Sequence, residues 1–236
     1  MIVFAAIAPH GDVDEPPELL AAMEELGRAF DAASPDAAIV VTPHNVHVEG
    51  HFAVVVAAKV GEHEVDRELA AAALDALRAQ GLPVVGVSYG GNDATQAEHP
   101  LDWGTEIPLR FMRAAKVVVV CPARDRPLAE HVRAGEALAR LPGRLALIAS
   151  ADQGHAHDPE GPYGFDPAAA SPSPQSSGCW RLRCLRIFFL IRAGVLGRSL
   201  LLRLWRGIRA LFARAERAPA RYGASAIGAA IATSIP

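Results

Sequence analysis

The chain has 236 residues, 51% hydrophobic and 21% charged, with a mean hydropathy of +0.18; that is enough apolar material for a sizeable core and too much for a disordered or collagen-like chain. The net charge of −3 conceals a division: residues 1–170 hold 25 acids and 12 bases, net −13, whereas residues 171–236 hold 11 arginines and one acid, Glu216, net +10. No run of eighteen uncharged apolar residues occurs and no basic segment precedes the first apolar run, so neither a spanning helix nor a secretory signal is expected, and a soluble cytoplasmic protein is. Cys121, Cys179 and Cys184 form no Cys-x-x-Cys spacing, which argues against a disulfide framework or structural zinc and for a reducing compartment.

Ile2 to Ala8 is a short apolar run stopped by Pro9, the pattern of a buried strand. Pro16, Pro17 and Glu18 suit the first turn of a helix in which Leu19, Leu20, Met23, Leu26 and Phe30 recur at helical spacing until Ser34 and Pro35. Ala37 to Thr42 is a second buried strand ended by Pro43, and His51 to Ala58 a third, read as antiparallel. Asp66 to Gln80 has the composition of an exposed helix with Gly81 at its C-terminal cap, and Pro83 to Tyr89 returns to strand. After a polar loop, Asn92 to Asp102, the expected elements are a helix from Thr105 to Ala114, a strand Val117 to Cys121, a helix Leu128 to Leu141 and a strand Leu145 to Ser150. Buried strands alternating with amphipathic helices predict an α/β fold: a mostly parallel central sheet with helices on both faces.

In such sheets ligands bind beyond the carboxyl ends of the strands. Three predicted strands lead to histidine there: Pro9-His10-Gly11, Thr42-Pro43-His44-Asn45, and Ser150-Ala151-Asp152-Gln153-Gly154-His155. Proline cannot continue a central ladder, so Pro9 and Pro43 fix where each strand stops. A single histidine after a strand is more often a satisfied surface residue than a ligand; three at one edge suit a divalent metal, and two imidazoles plus a carboxylate suit ferrous iron with open positions.

These segments, with Leu101-Asp102-Trp103-Gly104-Thr105-Glu106-Ile107-Pro108-Leu109 and Gly161-Pro162-Tyr163-Gly164-Phe165-Asp166, resemble the class III extradiol ring-cleavage dioxygenases over about residues 1–170. The resemblance implies a non-haem Fe(II) enzyme that opens a catechol-like or aminophenolic ring with O₂, its active site at the carboxyl ends of the strands. It implies His10 and His44 as metal ligands and His155 as catalytic acid and base, taking a proton from a substrate hydroxyl and returning it as the O–O bond breaks. The family's third ligand is a glutamate near the C-terminus before an Ala-Pro pair; here Glu216-Arg217-Ala218-Pro219 is a loose echo with one extra residue, which makes Glu216 the candidate.

The chain departs from the family pattern at Trp103, where a histidine expected to touch substrate normally follows the aspartate. The indole could stack on an aromatic substrate or pack as rim, and both readings stay open. His99 is a candidate replacement for that lost donor, set against a solvated loop histidine. Asp152 could ligate, orient His155 or cap a turn, capping being the commoner role. Asp12 and Asp14 read as acids serving the next helix N-terminus, and His47, His51, His63, His131 and His157 as surface residues.

Residues 171–236 are Ser/Pro-rich and then Arg/Leu-rich, without the balanced pattern of the rest. They are either a cationic amphipathic helix for a membrane surface or acidic partner, or the product of a shifted reading frame; we favour the latter because charge balance, binary pattern and family likeness fail together. The expected partners are a small aromatic diol or aminophenol and O₂, with no nucleic acid and no membrane, a homo-oligomer remaining open. The alternatives are a non-catalytic metal-binding module of the same fold and a membrane-surface protein acting through the cationic segment.

Overall fold

The computed structural model describes residues 1–11, 13–14, 17–90, 93, 95–151, 159–161 and 164–167. The chain divides into two units, one containing Met1–Asp152 and the other Gln153–Ser225. In chain order the first carries β1 (Ile2–Ala8), α1 (Pro17–Ala33), β2 (Ala37–Val41), β3 (Phe52–Val55), β4 (Lys59–Val60), β5 (His63–Glu64), α2 (Arg67–Ala79), β6 (Val84–Val87), β7 (Glu98–His99), α3 (Trp103–Phe111), β8 (Val117–Cys121), α4 (Leu128–Ala139) and β9 (Leu145–Ser150). Of the second unit, Gly161 and Gly164 close a turn in which the Gly164 N–H donates to the Gly161 carbonyl at 3.1 Å.

Among the described residues six strands form one sheet in the order β1-β9-β2-β8-β3-β6. The neighbours from β1 to β8 run parallel; β3 runs antiparallel to β8 and parallel to β6. The four interior strands β9, β2, β8 and β3 are buried at every position, which is why each reads as an unbroken apolar run. The mostly parallel α/β architecture is thus as the sequence predicts.

Register places helices on both faces. Phe4 meets Phe30 of α1 edge-on at 5.5 Å, while Leu147, next along β9 from the Phe4 partner Ala146, lines a small apolar cavity with Ala134, Gly135 and Leu138 of α4. Adjacent strand residues point to opposite faces, so α1 and α4 cover opposite sides. Helix α3 packs on α1 at Gly27, where a Cβ would lie 2.4 Å from the Phe111 carbonyl oxygen; only glycine admits that approach.

Local chemistry sets the helix ends. Asp66 caps α2 by accepting the Leu69 N–H at 3.0 Å, and Gly81 follows it at φ +68. Helix α2 is not an exposed helix, since Leu69, Ala70, Ala73, Leu74 and Leu77 are buried: the alanine-rich sequence hides a narrow apolar stripe. Helix α3 begins at Trp103 rather than Thr105, because Asp102 accepts the Thr105 N–H at 3.1 Å and so acts as its cap. The predicted third strand contracts to Phe52–Val55, with His51 in an isolated bridge to Val48. β7, inside the stretch Asn92 to Asp102 that the sequence predicts as loop, joins β4 and β5, for which it predicts no element, in a second sheet of order β5-β4-β7. His131 is half-buried against Phe52, 5.1 Å between ring centres, so it is not a simple surface histidine, whereas His51 and His63 stay partly exposed. Among the described residues no helix is long and apolar enough to cross a membrane.

Candidate functional site

The parallel strands β1, β9 and β2 end side by side. The Ala151 N–H donates to the Ala8 carbonyl at 3.0 Å, and the register that pairs Ala8 with Ser150 and Val41 with Ala149 keeps the strand ends level. Beyond β1, Pro9 ends the ladder and His10 turns inward, only 3% exposed. Its Nδ1 lies 2.8 Å from Oγ of Ser150, the last residue of β9, and the Ser150 hydroxyl donates to the Gly104 carbonyl.

Beyond β2, the Thr42-Pro43-His44 turn is tightened by the His44 N–H, which donates to Thr42 Oγ1 at 3.3 Å. The His44 and His10 Nε2 atoms approach to 2.8 Å, with the rings nearly perpendicular at 83° and their centres 4.5 Å apart. The sequence-predicted pair is therefore brought together. Trp103, the first residue of α3, lays its indole over His44 at 4.4 Å and 31° and is 53% exposed, so one side meets the imidazole while much of the ring faces solvent.

Asp102 supports this arrangement from beneath, itself 8% exposed. Its Oδ1 accepts from the Thr42 hydroxyl at 2.7 Å and the Thr105 N–H at 3.1 Å; its Oδ2 accepts from the Thr105 hydroxyl at 2.7 Å and Asn45 Nδ2 at 3.0 Å. Four donors offset the cost of burying a carboxylate. Gly104 makes the packing possible, since a Cβ there would lie 2.5 Å from Thr42 Oγ1 and 2.9 Å from Asp102 Oδ1.

His99 is not a solvated loop residue. It sits half-buried on β7, with Nε2 2.7 Å from Asn45 Oδ1. The Asn45 amide nitrogen already donates to the Pro100 carbonyl at 3.1 Å and to Asp102, so Oδ1 accepts and His99 Nε2 carries the proton. His99 Nδ1 is buried without a hydrogen-bond partner among the described residues. Burial lowers the His99 pKa, the Asp102 charge opposing it. Asp14 accepts a two-oxygen ion pair from Arg110 of α3 at 2.8 and 3.0 Å. Cys121, at the end of β8, is buried and its thiol is pushed up to about 11 by desolvation.

Among the described residues no group of three His, Cys, Asp or Glu side chains gathers to hold a metal; His10 and His44 form a pair. The expected third ligand Glu216, the expected acid and base His155, and Asp152, Asp12 and His157 lie outside the described residues. Thr42, Asn45, Asp102, Gly104 and Ser150 had no assigned role in the sequence reading. Asp102 three residues before Thr105 is a helix-cap signal that could have found one of them; the others become partners only through strand order.

No family model and no curated protein matches the chain. Solved structures with a similar fold include the crystal structure of uncharacterized protein JW3007 from Escherichia coli K12. It aligns with a TM-score of 0.50 at 18% identity, over 76% of this chain and 71% of that one. At such identity the likeness speaks for the fold alone.

Proposed function

We infer that the protein is a non-haem Fe(II) extradiol dioxygenase acting on a small catecholic or aminophenolic ring, and that it works in the cytoplasm. The observation that carries this reading is the 2.8 Å approach of His10 and His44 Nε2 at the carboxyl edge of the sheet. Two imidazole nitrogens held at right angles about 2.1 Å from one cation lie about 3 Å apart, so the pair fits adjacent positions on a divalent metal. Two neutral nitrogen donors, completed by a carboxylate, are also the donor set suited to ferrous iron with open positions. His10 and His44 would hold the iron, with Glu216 as the proposed carboxylate.

Fe(II), held by these residues, would supply a meeting point for substrate and O₂. The chain's own groups do the rest. Trp103 presents an aromatic surface beside His44 against which a flat ring can stack. Asp102 holds Thr42, and through it the His44 turn, in place. His155 is assigned the proton transfer on the strength of the motif resemblance. His99, tied to Asn45, supports the site rather than replacing the missing substrate donor.

Iron content and O₂ uptake test the reading together. Protein reconstituted anaerobically with Fe(II) should consume O₂ with at least one member of a catechol and aminophenol panel, and His10→Ala and His44→Ala should each lose bound iron. Stoichiometric iron retained by both variants sinks the proposed site. Iron binding without O₂ uptake across the panel favours a non-catalytic metal-binding module instead.

A further inference from the structure

We propose that Ser150 is a positioning residue that locks His10 in the Nδ1–H tautomer, so that its Nε2 lone pair is directed at the point shared with His44. The inference rests on the proposed metal role of the pair.

The chain of causes starts at a proline. Pro108 lies inside α3 and has no N–H, so the carbonyl four residues earlier, that of Gly104, lacks its helical donor. The Ser150 hydroxyl fills that role by donating to the Gly104 carbonyl. A hydroxyl has one hydrogen, and with it committed Oγ can only accept from His10 Nδ1, 2.8 Å away. Ser150 is 4% exposed and His10 3%, so water does not compete for either group. A neutral His10 whose proton is on Nδ1 carries its lone pair on Nε2, the atom 2.8 Å from His44 Nε2. Partners of this kind fix ring orientation and tautomer at metal-binding histidines, and their loss costs about 10–100-fold in metal affinity.

Two readouts on the full chain test this. In metal-free ¹⁵N-labelled protein at about pH 8, where an ordinary imidazole is neutral, long-range imidazole correlations should show His10 protonated on Nδ1. The Ser150→Ala variant should lose that preference and bind Co(II), followed by its visible absorption, about tenfold or more weakly. A wild-type His10 found in any form other than Nδ1–H overturns the proposal even if the variant does not fold. So does a Ser150→Ala protein with unchanged tautomer or unchanged Co(II) affinity. Wild-type protein with the Nδ1–H tautomer but no Co(II) binding fails differently: it overturns the metal reading of the His10–His44 pair, and the role of Ser150 with it.

Discussion

The Thr42 hydroxyl donates to Asp102 Oδ1 at 2.7 Å across sixty residues of sequence, joining the end of β2 to the cap of α3 inside a buried site. Through this bond one carboxylate both starts a helix and steadies the turn that carries His44. The same helical turn receives Ser150 at the Gly104 carbonyl. Both histidines are thus supported by the first residues of α3.

Removing the carboxylate should be costly. Asp102→Ala leaves the Thr42, Asn45 and Thr105 donors without their acceptor and takes away the α3 cap. The expected loss is about 3 kcal/mol of stability, read from urea denaturation. A change within about 0.5 kcal/mol, the scale of an ordinary surface substitution, would contradict the role given to the network.

Gly104→Ala tests the closeness of that packing. Its Cβ has no room beside Thr42 Oγ1 and Asp102 Oδ1, and His44 Cδ2 is 3.3 Å away. Overpacking of this type destabilises by about 1–3 kcal/mol, and displacement of the Thr42 turn should also weaken Co(II) binding. An alanine variant as stable and as metal-competent as the parent would show that the turn has slack.

His99 should leave a signature in the pH dependence of stability. Burial holds its folded-state pKa below the ordinary 6.5, so the unfolded chain takes up the proton first as pH falls. Its contribution is present above about 6.5 and is lost as pH falls from there toward the lowered folded value. The difference in Tm between the parent and His99→Gln should therefore shift against the parent between about pH 8 and about pH 5. Parallel curves over that range would mean that His99 titrates alike folded and unfolded.

Trp103 is more than half exposed, so Trp103→Ala should cost little stability. If the indole stacks on the substrate ring, KM should rise about fivefold, the equivalent of about 1 kcal/mol of aromatic contact. Unchanged KM with any ring-cleavage substrate would make Trp103 a rim residue that merely packs on His44.

The legibility of the fold followed the length of each signal. β1, β8 and β9 were readable to the residue because apolar runs between prolines, charges and turns admit few boundaries. The two-residue strands β4, β5 and β7 were not, since no periodicity exists over two positions. Helix α3 starts two residues before the Thr105 that the sequence predicts, because its start depends on an aspartate side chain folding back onto the backbone. The half-burial of His99, against the solvated loop position the sequence suggests, depends on a partner, Asn45, that is 54 residues away.

By itself the sequence determined the alternation of strand and helix, the burial of the interior strands, and the delivery of His10 and His44 to strand ends, because hydrophobic period and proline act locally. Only the tertiary structure decided that β9, the last strand among the described residues, inserts between β1 and β2 and so brings Ser150 against His10. Strand order is fixed by how whole faces pack and which backbone edges pair, and no local pattern encodes that choice.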